Sequence, residues 1–305
     1  MKPDLRVTIA GVEFANPLMT ASGCCGYGEE LAGLFPLKRL GALVTKSITA
    51  KPRLGHPPPR TAEVPSGMLN AIGLANVGID RFIAEKIPFL DKQDTRIIVN
   101  VAGSAIGEYV DICARLEDQP RVDMVELNIS CPNVSEGGME IGSSAAMTER
   151  TIKAVRKVFS RPIIAKLSPN VTSVVEIARA AEQGGADCLS LINSLVGTSV
   201  DIHTWRPRLT NNRGGLTGPG IKPIALAMVD AVYNATRVPI IGIGGISNVV
   251  DAIEFFLCGA TALQVGTALF VHPDTPVRIV ADLEDYLKQK KLSSITELVG
   301  KVRKY

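Results

Sequence analysis

Eight short apolar runs recur along the 305-residue chain, each ending in small or polar residues and each followed by a segment with helix-like spacing of apolar residues. They are LMTASG (18–23), ALVTKSI (42–48), IIVNVAG (97–103), MVELNIS (124–130), PIIAKLSP (162–169), CLSLINS (188–194), PIIGIGGI (239–246) and ALQVGTAL (262–269). Continuous apolar strands alternating with helices are typical of a parallel sheet covered on its outer faces. Eight such units predict closure into an α/β fold of the (β/α)8 TIM-barrel type, with an open doubly wound sheet as the structural alternative.

The remaining segments are expected to decorate one barrel rather than form a second domain. Barrels of this kind commonly exceed 250 residues as one unit, so we expect a single domain over residues 1–305. Residues 6–17 (RVTIAGVEFANP) predict an N-terminal β-hairpin at one end of the barrel. The connections after the second and sixth runs, 49–96 and 195–238, are too long for plain helices and predict functional insertions.

Composition excludes several classes of partner. The 33 basic and 30 acidic residues are scattered along the chain, so no basic stripe predicts a nucleic-acid surface. No stretch reaches the roughly 18 apolar residues of a membrane span, and the N-terminus lacks a signal-peptide core. We therefore expect a cytoplasmic protein that does not associate with a membrane. The six cysteines form no CxxC pair and only three histidines accompany them, so we expect no metal site.

Polar residues collect where the strands are predicted to end, which is where β/α barrels form active sites. Lys46 and Lys166 lie within apolar runs, and a buried ammonium needs an anion or several acceptors. Both are expected to face a ligand, although a salt bridge from Lys166 to Glu126 on the neighbouring strand is the alternative for that lysine. The glycine turns GIGGIS (242–247) and VGTA (265–268) predict a phosphate site, with ordinary βα turns as the alternative.

Cys131 follows the fourth run, in the segment NISCPN (128–133). A thiol titrates closer to neutrality than a hydroxyl does, so Cys131 could act as a general base once neighbouring donors favour the thiolate. The alternative is a buried, unreactive cysteine, and we assign that structural role to the adjacent Cys24 and Cys25.

Several of these strings together resemble the dihydroorotate dehydrogenase family, in order and over nearly the whole chain. They are ASG (21–23), TKS (45–47), NAIGLAN (70–76), NISCPN (128–133), AKLSPN (165–170), INS (192–194), GGLTGP (214–219), IGIGGI (241–246) and QVGTA (264–268). The resemblance implies FMN, one per chain, and oxidation of (S)-dihydroorotate to orotate in de novo pyrimidine (UMP) biosynthesis. It further implies that Cys131 removes the C5 proton while hydride passes from C6 to flavin N5.

The resemblance also implies the residues of the site. The expected FMN contacts are Ser22, Lys46, Ser47, Asn100, Asn128, Lys166, Ile192, Gly218, Gly244, Gly245, Gly266 and Thr267. The expected dihydroorotate contacts are Lys46, Asn70, Ala71, Ile72, Gly73, Leu74, Asn128, Asn193 and Ser194.

A cysteine at the position of the base resembles class 1 enzymes, and the sequence as a whole is most similar to the class 1B catalytic subunit. That class implies a partner subunit carrying FAD and a [2Fe-2S] cluster, which passes electrons to NAD+, in a heterotetramer of two plus two chains around a homodimer core. A class 1A enzyme that uses fumarate is the closest alternative. A flavin-free, phosphate-binding barrel lyase with a Schiff-base lysine and a non-catalytic barrel are more distant ones.

Overall fold

A computed structural model describes residues 2–130 and 141–305. Its strands are β1 (Val7–Ile9), β2 (Val12–Phe14), β3 (Leu18–Thr20), β4 (Ala42–Val44), β5 (Thr61–Val64), β6 (Gly67–Asn70), β7 (Arg96–Val101), β8 (Met124–Asn128), β9 (Ile163–Lys166), β10 (Cys188–Leu191), β11 (Leu195–Gly197), β12 (Val200–Asp201), β13 (Arg206–Pro207), β14 (Gly214–Thr217), β15 (Ile240–Ile243) and β16 (Ala262–Val265).

Helices alternate with these strands. The α-helices are α1 (Glu29–Ala32), α2 (Gly78–Arg81), α3 (Ile87–Leu90), α4 (Ile106–Glu117), α5 (Ala145–Arg156), α6 (Val174–Gln183), α7 (Lys222–Tyr233), α8 (Val249–Leu257) and α9 (Thr275–Lys290). A π-helical turn, Phe82–Lys86, joins α2 to α3. Short 3-10 turns cover Leu37–Arg39, Ile141–Ser143, Pro219–Ile221, Thr267–Phe270 and Ile295–Leu298.

Eight parallel strands close into a barrel in the order β10-β15-β16-β3-β4-β7-β8-β9. Each of them lies within one of the eight predicted runs or begins one residue before it. The predicted barrel is confirmed, and the alternative of an open doubly wound sheet is wrong. The strands are buried on both faces, as a helix-covered parallel sheet requires. Since all eight run in the same direction, their carboxyl ends meet at one mouth.

The predicted N-terminal hairpin is also present. Strands β1 and β2 pair antiparallel, with Ile9 opposite Val12. Phe14 is fully buried in the main core, and the Glu13 carbonyl accepts a hydrogen bond from Arg96 Nε at 3.0 Å. Because Arg96 begins β7, the hairpin lies at the amino-terminal end of the barrel, opposite the mouth.

The two predicted insertions pair with each other. Strands β5 and β6 of the first and β11 and β14 of the second form one antiparallel sheet in the order β11-β14-β6-β5. Gly215 lies opposite Asn70, so this sheet links segments about 145 residues apart. Both insertions can be located from the sequence, whereas their pairing depends on contacts between distant segments.

Three helices of the outer layer begin at side-chain caps. Ser144, Ser173 and Asn248 accept hydrogen bonds from the first-turn amides of α5, α6 and α8. Such caps satisfy amides that have no partner within the helix, and they fix where each helix begins after its strand. No helix in residues 2–130 and 141–305 is long and apolar enough to cross a membrane.

Candidate active site

A cavity of about 950 Å³ opens at the carboxyl ends of the barrel strands, beneath the sheet formed by the insertions. Its lining includes most residues that the sequence analysis proposed for a site. These are Ser22, Lys46, Ser47, Asn70, Ala71, Ile72, Gly73, Leu74, Asn128, Lys166, Ile192, Asn193, Ser194, Gly218, Gly244, Gly245, Gly266 and Thr267. The chain therefore folds so that residues from many strand ends face one space.

Lys46 brings a positive charge to this cavity. Its backbone amide donates to the Gly26 carbonyl at 2.8 Å, which fixes the turn after β4. Its ammonium makes no hydrogen bond or ion pair with any residue in the described part of the chain. Loss of solvent on burial lowers the pKa of Lys46, and Arg60 lowers it further, whereas the neighbouring Cys24 raises it. A cation without a protein counter-ion is suited to an anionic ligand.

Lys166 has both of the environments that the sequence analysis considered. It lines the cavity, and its Nζ lies 3.8 Å from Glu126 Oε1, with side-chain exposures of 7% and 0%. This distance is long for a hydrogen bond but short for a charge interaction. The ion pair given as the alternative for Lys166 is therefore present, and the lysine also lines the cavity, as the favoured prediction requires.

The amides of Asn128 and Asn193 meet at the mouth. Asn193 Nδ2 donates to Asn128 Oδ1 at 3.2 Å, and Asn193 Oδ1 accepts from the Ser194 amide at 2.8 Å. Gly215 covers Ser194 so closely that a Cβ there would lie 2.0 Å from its Oγ. The insertion sheet thus packs directly on polar residues of the site.

The loop from Asn70 to Leu74 is held by contacts from the same insertion. The His56 amide donates to the Ile72 carbonyl at 3.1 Å, and His56 Nδ1 donates to the Ala71 carbonyl at 3.1 Å. A Cβ on Gly73 would lie 2.9 Å from the imidazole, so the loop lies flat against the ring. His56 is a site residue that was missed from the sequence, because no local pattern marks its contact with a residue 15 positions away.

The glycine turn after β15 presents backbone to the cavity. Gly244 and Gly245 have φ values of 127° and 75°, which favour glycine. A Cβ on Gly245 would lie 2.8 Å from Lys222 Cβ and 3.0 Å from the Gly218 carbonyl oxygen. Both the conformation and the close packing therefore require glycine here.

One proposed residue of the described part of the chain, Asn100, lies outside the cavity lining. Asn100 is fully buried in the barrel, where its Oδ1 accepts from Ser47 Oγ at 2.5 Å and its Nδ2 donates to Glu126 at 2.6 Å. It does not line the cavity but supports Ser47, which does, so its contact with FMN stays a prediction. Cys131 lies outside the described residues.

Other lining residues were missed. Cys24, assigned a structural role, contributes to the cavity wall, and burial raises the pKa of its thiol to about 11 against the opposing effects of Lys166 and Lys46. Cys25 is buried in the core, as expected. The insertions and the end of the chain's last barrel unit supply further lining residues, namely His56, Thr61, Met68, Asn211, Arg213, Thr217, His272 and Thr275.

A parallel eight-stranded barrel with a large, lysine-lined cavity at its strand ends has the architecture of β/α-barrel enzymes. A family-wide sequence model described as dihydroorotate dehydrogenase matches residues 4–287. The chain belongs to the dihydroorotate dehydrogenase family.

Curated relatives from three genera agree with this assignment. The protein of Geotalea daltonii is 50% identical over 302 residues, covering 99% of each chain. That of Geobacter sulfurreducens is 50% identical over 299 residues, covering 98% of each chain. That of Alkaliphilus oremlandii is 49% identical over 299 residues, covering 98% of this chain and 99% of the relative. All three are named dihydroorotate dehydrogenase B (NAD(+)), catalytic subunit, which confirms the resemblance to class 1B.

Proposed function

We propose that this chain is the catalytic subunit of an NAD+-linked dihydroorotate dehydrogenase, which oxidises (S)-dihydroorotate to orotate in de novo pyrimidine (UMP) biosynthesis. The observation that carries the proposal is the identity of about half of all residues, over the full chain, with relatives of that name. The cavity adds support, because it has the size of a cofactor site and carries two cationic side chains.

The residues of the cavity fit FMN. Gly244, Gly245 and Gly266 line the cavity, and the backbone amides of such glycine turns are suited to a bound phosphate. Lys166 lines the cavity and makes no hydrogen bond through Nζ to any described residue, so its charge would stabilise an anionic ring. FMN, when bound, supplies a two-electron acceptor. The residues proposed to hold it are Ser22, Lys46, Ser47, Asn100, Asn128, Lys166, Ile192, Gly218, Gly244, Gly245, Gly266 and Thr267.

The residues proposed to hold dihydroorotate are Lys46, the loop Asn70–Leu74, Asn128, Asn193 and Ser194. Lys46 would pair with the substrate carboxylate, since its charge has no partner among the described residues. The asparagine amides would pair with the ring amides and reject analogues that leave these groups unpaired. The insertion sheet excludes water from that side of the substrate.

Cys131 is proposed as the base that takes the C5 proton. The residue follows Ser130, which lines the cavity, although Cys131 itself lies outside the described residues. A thiol suits this role near neutral pH better than a hydroxyl does.

A separate subunit is proposed to carry FAD and a [2Fe-2S] cluster and to deliver electrons to NAD+, in a cytoplasmic heterotetramer of two plus two chains with a homodimer core. The relatives are named catalytic subunits of an NAD(+) enzyme, which supports a partner and favours this proposal over a fumarate-dependent enzyme.

The test is an acceptor comparison on the purified chain, alone and with its co-purifying partner. We expect a yellow protein whose flavin absorbance is bleached by dihydroorotate without oxygen. NAD+ reduction should require the partner. A colourless protein that a carbonyl substrate and borohydride inactivate would contradict the flavin assignment. Robust fumarate reduction by the isolated chain would instead indicate class 1A.

A further inference from the structure

We propose that Glu126 is a positioning residue that sets the charge beneath the flavin. It balances the Lys166 ammonium without occupying that lysine's hydrogen-bond donors. This inference rests on the proposed function, because it requires FMN in the cavity above Lys166.

Glu126 is the centre of a polar network inside the barrel. It is fully buried, and it accepts hydrogen bonds from Asn100 Nδ2 at 2.6 Å, Ser190 Oγ at 2.8 Å and Gln264 Nε2 at 2.6 Å. These donors come from β7, β10 and β16. Strand β16 is on the opposite side of the barrel from β8, so the bond from Gln264 spans the interior. Three donors at these distances offset much of the cost of burying a carboxylate.

The carboxylate lies one layer deeper in the barrel than the lysine. Asn128 pairs with Lys166 in the strand register, and Glu126 pairs with Ile164 two residues earlier. Lys166 and Asn128 line the cavity, whereas Glu126 does not. Seen from the cavity, the negative charge therefore lies behind the positive one.

The separation of the two charges is what makes this arrangement useful. At 3.8 Å, Glu126 Oε1 attracts the Lys166 ammonium but lies beyond ordinary hydrogen-bond range. The three N–H groups of Lys166 therefore stay available to a ligand, and no other described residue pairs with them. A purely structural ion pair in a barrel core would use these donors to satisfy both partners.

The counter-charge moderates the field at the flavin. An uncompensated ammonium would favour the anionic, reduced ring over the neutral, oxidised one. Glu126 weakens that preference, which keeps the reduced cofactor able to pass its electrons on. Removing the negative charge while keeping the side-chain shape should therefore raise the midpoint potential of bound FMN.

Glu126→Gln is the first test, with the potential measured by equilibration against redox dyes in the purified holoenzyme. We expect the preference for reduced over oxidised FMN to rise at least about tenfold, which for a two-electron couple is a positive shift of about 30 mV. A potential that is unchanged or more negative would overturn the inference.

The double variant Glu126→Gln with Gln264→Glu is the matched control. It also tests the charge effect if the single variant does not fold. It keeps one carboxylate and one amide in the network, and each hydrogen bond retains a donor and an acceptor. It moves the charge to β16, three strands away from Lys166 on β9. We expect a positive shift smaller than that of the single variant, and no shift would again overturn the inference.

Ser190→Ala separates packing from charge. It removes one hydrogen bond to Glu126 and leaves the carboxylate in place. We expect a lower melting temperature with an unchanged potential, and a shift as large as that of Glu126→Gln would contradict a charge effect.

The wild-type chain separates this inference from the proposed function. If it binds FMN that dihydroorotate bleaches while Glu126→Gln leaves the potential unchanged, only the inference fails. If it binds no FMN, both fail.

Discussion

Asn193 Nδ2 donates to Asn128 Oδ1 at 3.2 Å and joins the ends of β10 and β8 across the intervening strand β9. The Ser194 amide donates to Asn193 Oδ1 at 2.8 Å, which fixes which way the Asn193 amide faces. The oxygens of both asparagines are thus engaged within the protein, and their remaining N–H groups are left for a ligand. Carbonyl groups of the substrate ring are suited to such donors.

Asn193→Ala should weaken dihydroorotate binding without loss of FMN. Removing the Asn193 amide also leaves Asn128 Oδ1 without the donor that orients the Asn128 side chain. Losing such a polar contact costs about 1–3 kcal/mol. We expect KM for dihydroorotate to rise about 10-fold to 100-fold at nearly unchanged flavin content. The control is Asn234→Ala, an exposed asparagine that donates to Asp230 at the end of α7. Equal kinetics for the two variants would contradict the assignment of Asn193.

Lys46 should give substrate binding an alkaline limit. Burial lowers its pKa, so the ammonium loses its proton at lower pH than an exposed lysine does. The protonated form binds the carboxylate, so affinity is present below this pKa and is lost as pH rises through it. Orotate binding can be followed through the flavin spectrum at a series of alkaline pH values. The affinity for orotate should fall at a lower pH than the pH at which an exposed lysine loses its proton.

Lys46→Arg is the control for that limit. A guanidinium keeps its charge throughout this range, so the alkaline fall in orotate affinity should disappear even if binding is weaker overall. An equal fall in both proteins would assign it to another group.

The barrel and much of its mouth could be predicted from the sequence because both depend on local patterns. Each barrel strand is an apolar run, and each run ends at the same edge of a parallel sheet. Residues such as Lys46 and Asn193 could therefore be assigned to one site without knowledge of any contact. Strand β9 illustrates this, since Lys166 is its last residue and lines the cavity.

The features that escaped prediction depend on contacts between distant parts of the chain. No local pattern pairs Gly215 with Asn70, although that pairing covers the site. The position of Asn100 below Ser47 depends on which side chains of β7 face inward at which depth, which periodicity does not resolve when both faces are buried. The Glu126 network likewise depends on the closure of the barrel, which alone brings Gln264 to it.

His56→Ala should loosen the substrate loop. The variant removes the hydrogen bond to the Ala71 carbonyl and the ring surface that Gly73 packs against. A buried acceptor left without its donor costs about 1–3 kcal/mol. Part of this cost should appear as weaker substrate binding, because the substrate is proposed to contact the loop. We expect KM for dihydroorotate to rise about 3-fold to 30-fold, with the FMN potential unchanged.

His56→Asn and His203→Ala are the matched controls. An asparagine amide can donate to the same carbonyl, so it should recover part of the affinity that alanine loses. His203 is exposed on the second insertion and should have no effect when replaced. Identical losses in His56→Asn and His56→Ala would show that ring packing, not the hydrogen bond, holds the loop.

Gly245→Ala and Gly107→Ala should change stability in opposite directions. A Cβ at Gly245 would meet Lys222 Cβ at 2.8 Å in a backbone with φ of 75°, which should cost about 1–3 kcal/mol and reduce FMN content. Gly107 lies exposed in the first turn of α4 with nothing near its Cβ position, so alanine there should gain up to about 1 kcal/mol. Thermal unfolding and flavin absorbance measure both. Full flavin occupancy in Gly245→Ala would argue against a tight phosphate turn.

Cys131→Ala should lose most of the turnover but keep FMN. A general base contributes about 10²-fold to 10⁴-fold, and alanine offers no group to take the C5 proton. Cys131→Ser should keep a small activity that grows as pH rises, because a hydroxyl is a far weaker acid than a thiol. The measurement is the rate at which dihydroorotate reduces the flavin in a single turnover, which isolates proton and hydride removal from the later transfer of electrons.

Cys258→Ala controls for the loss of any thiol. This cysteine ends α8 and does not line the cavity, so its removal should leave the reductive rate unchanged. Cys24→Ala tests whether the other thiol at the cavity could be the base, because Cys24 lines the cavity. Burial raises the pKa of Cys24 to about 11, so we expect this thiol to be a poor base at neutral pH. If Cys24→Ala abolished flavin reduction while Cys131→Ala did not, the base would have to be reassigned to the strand end that carries Cys24.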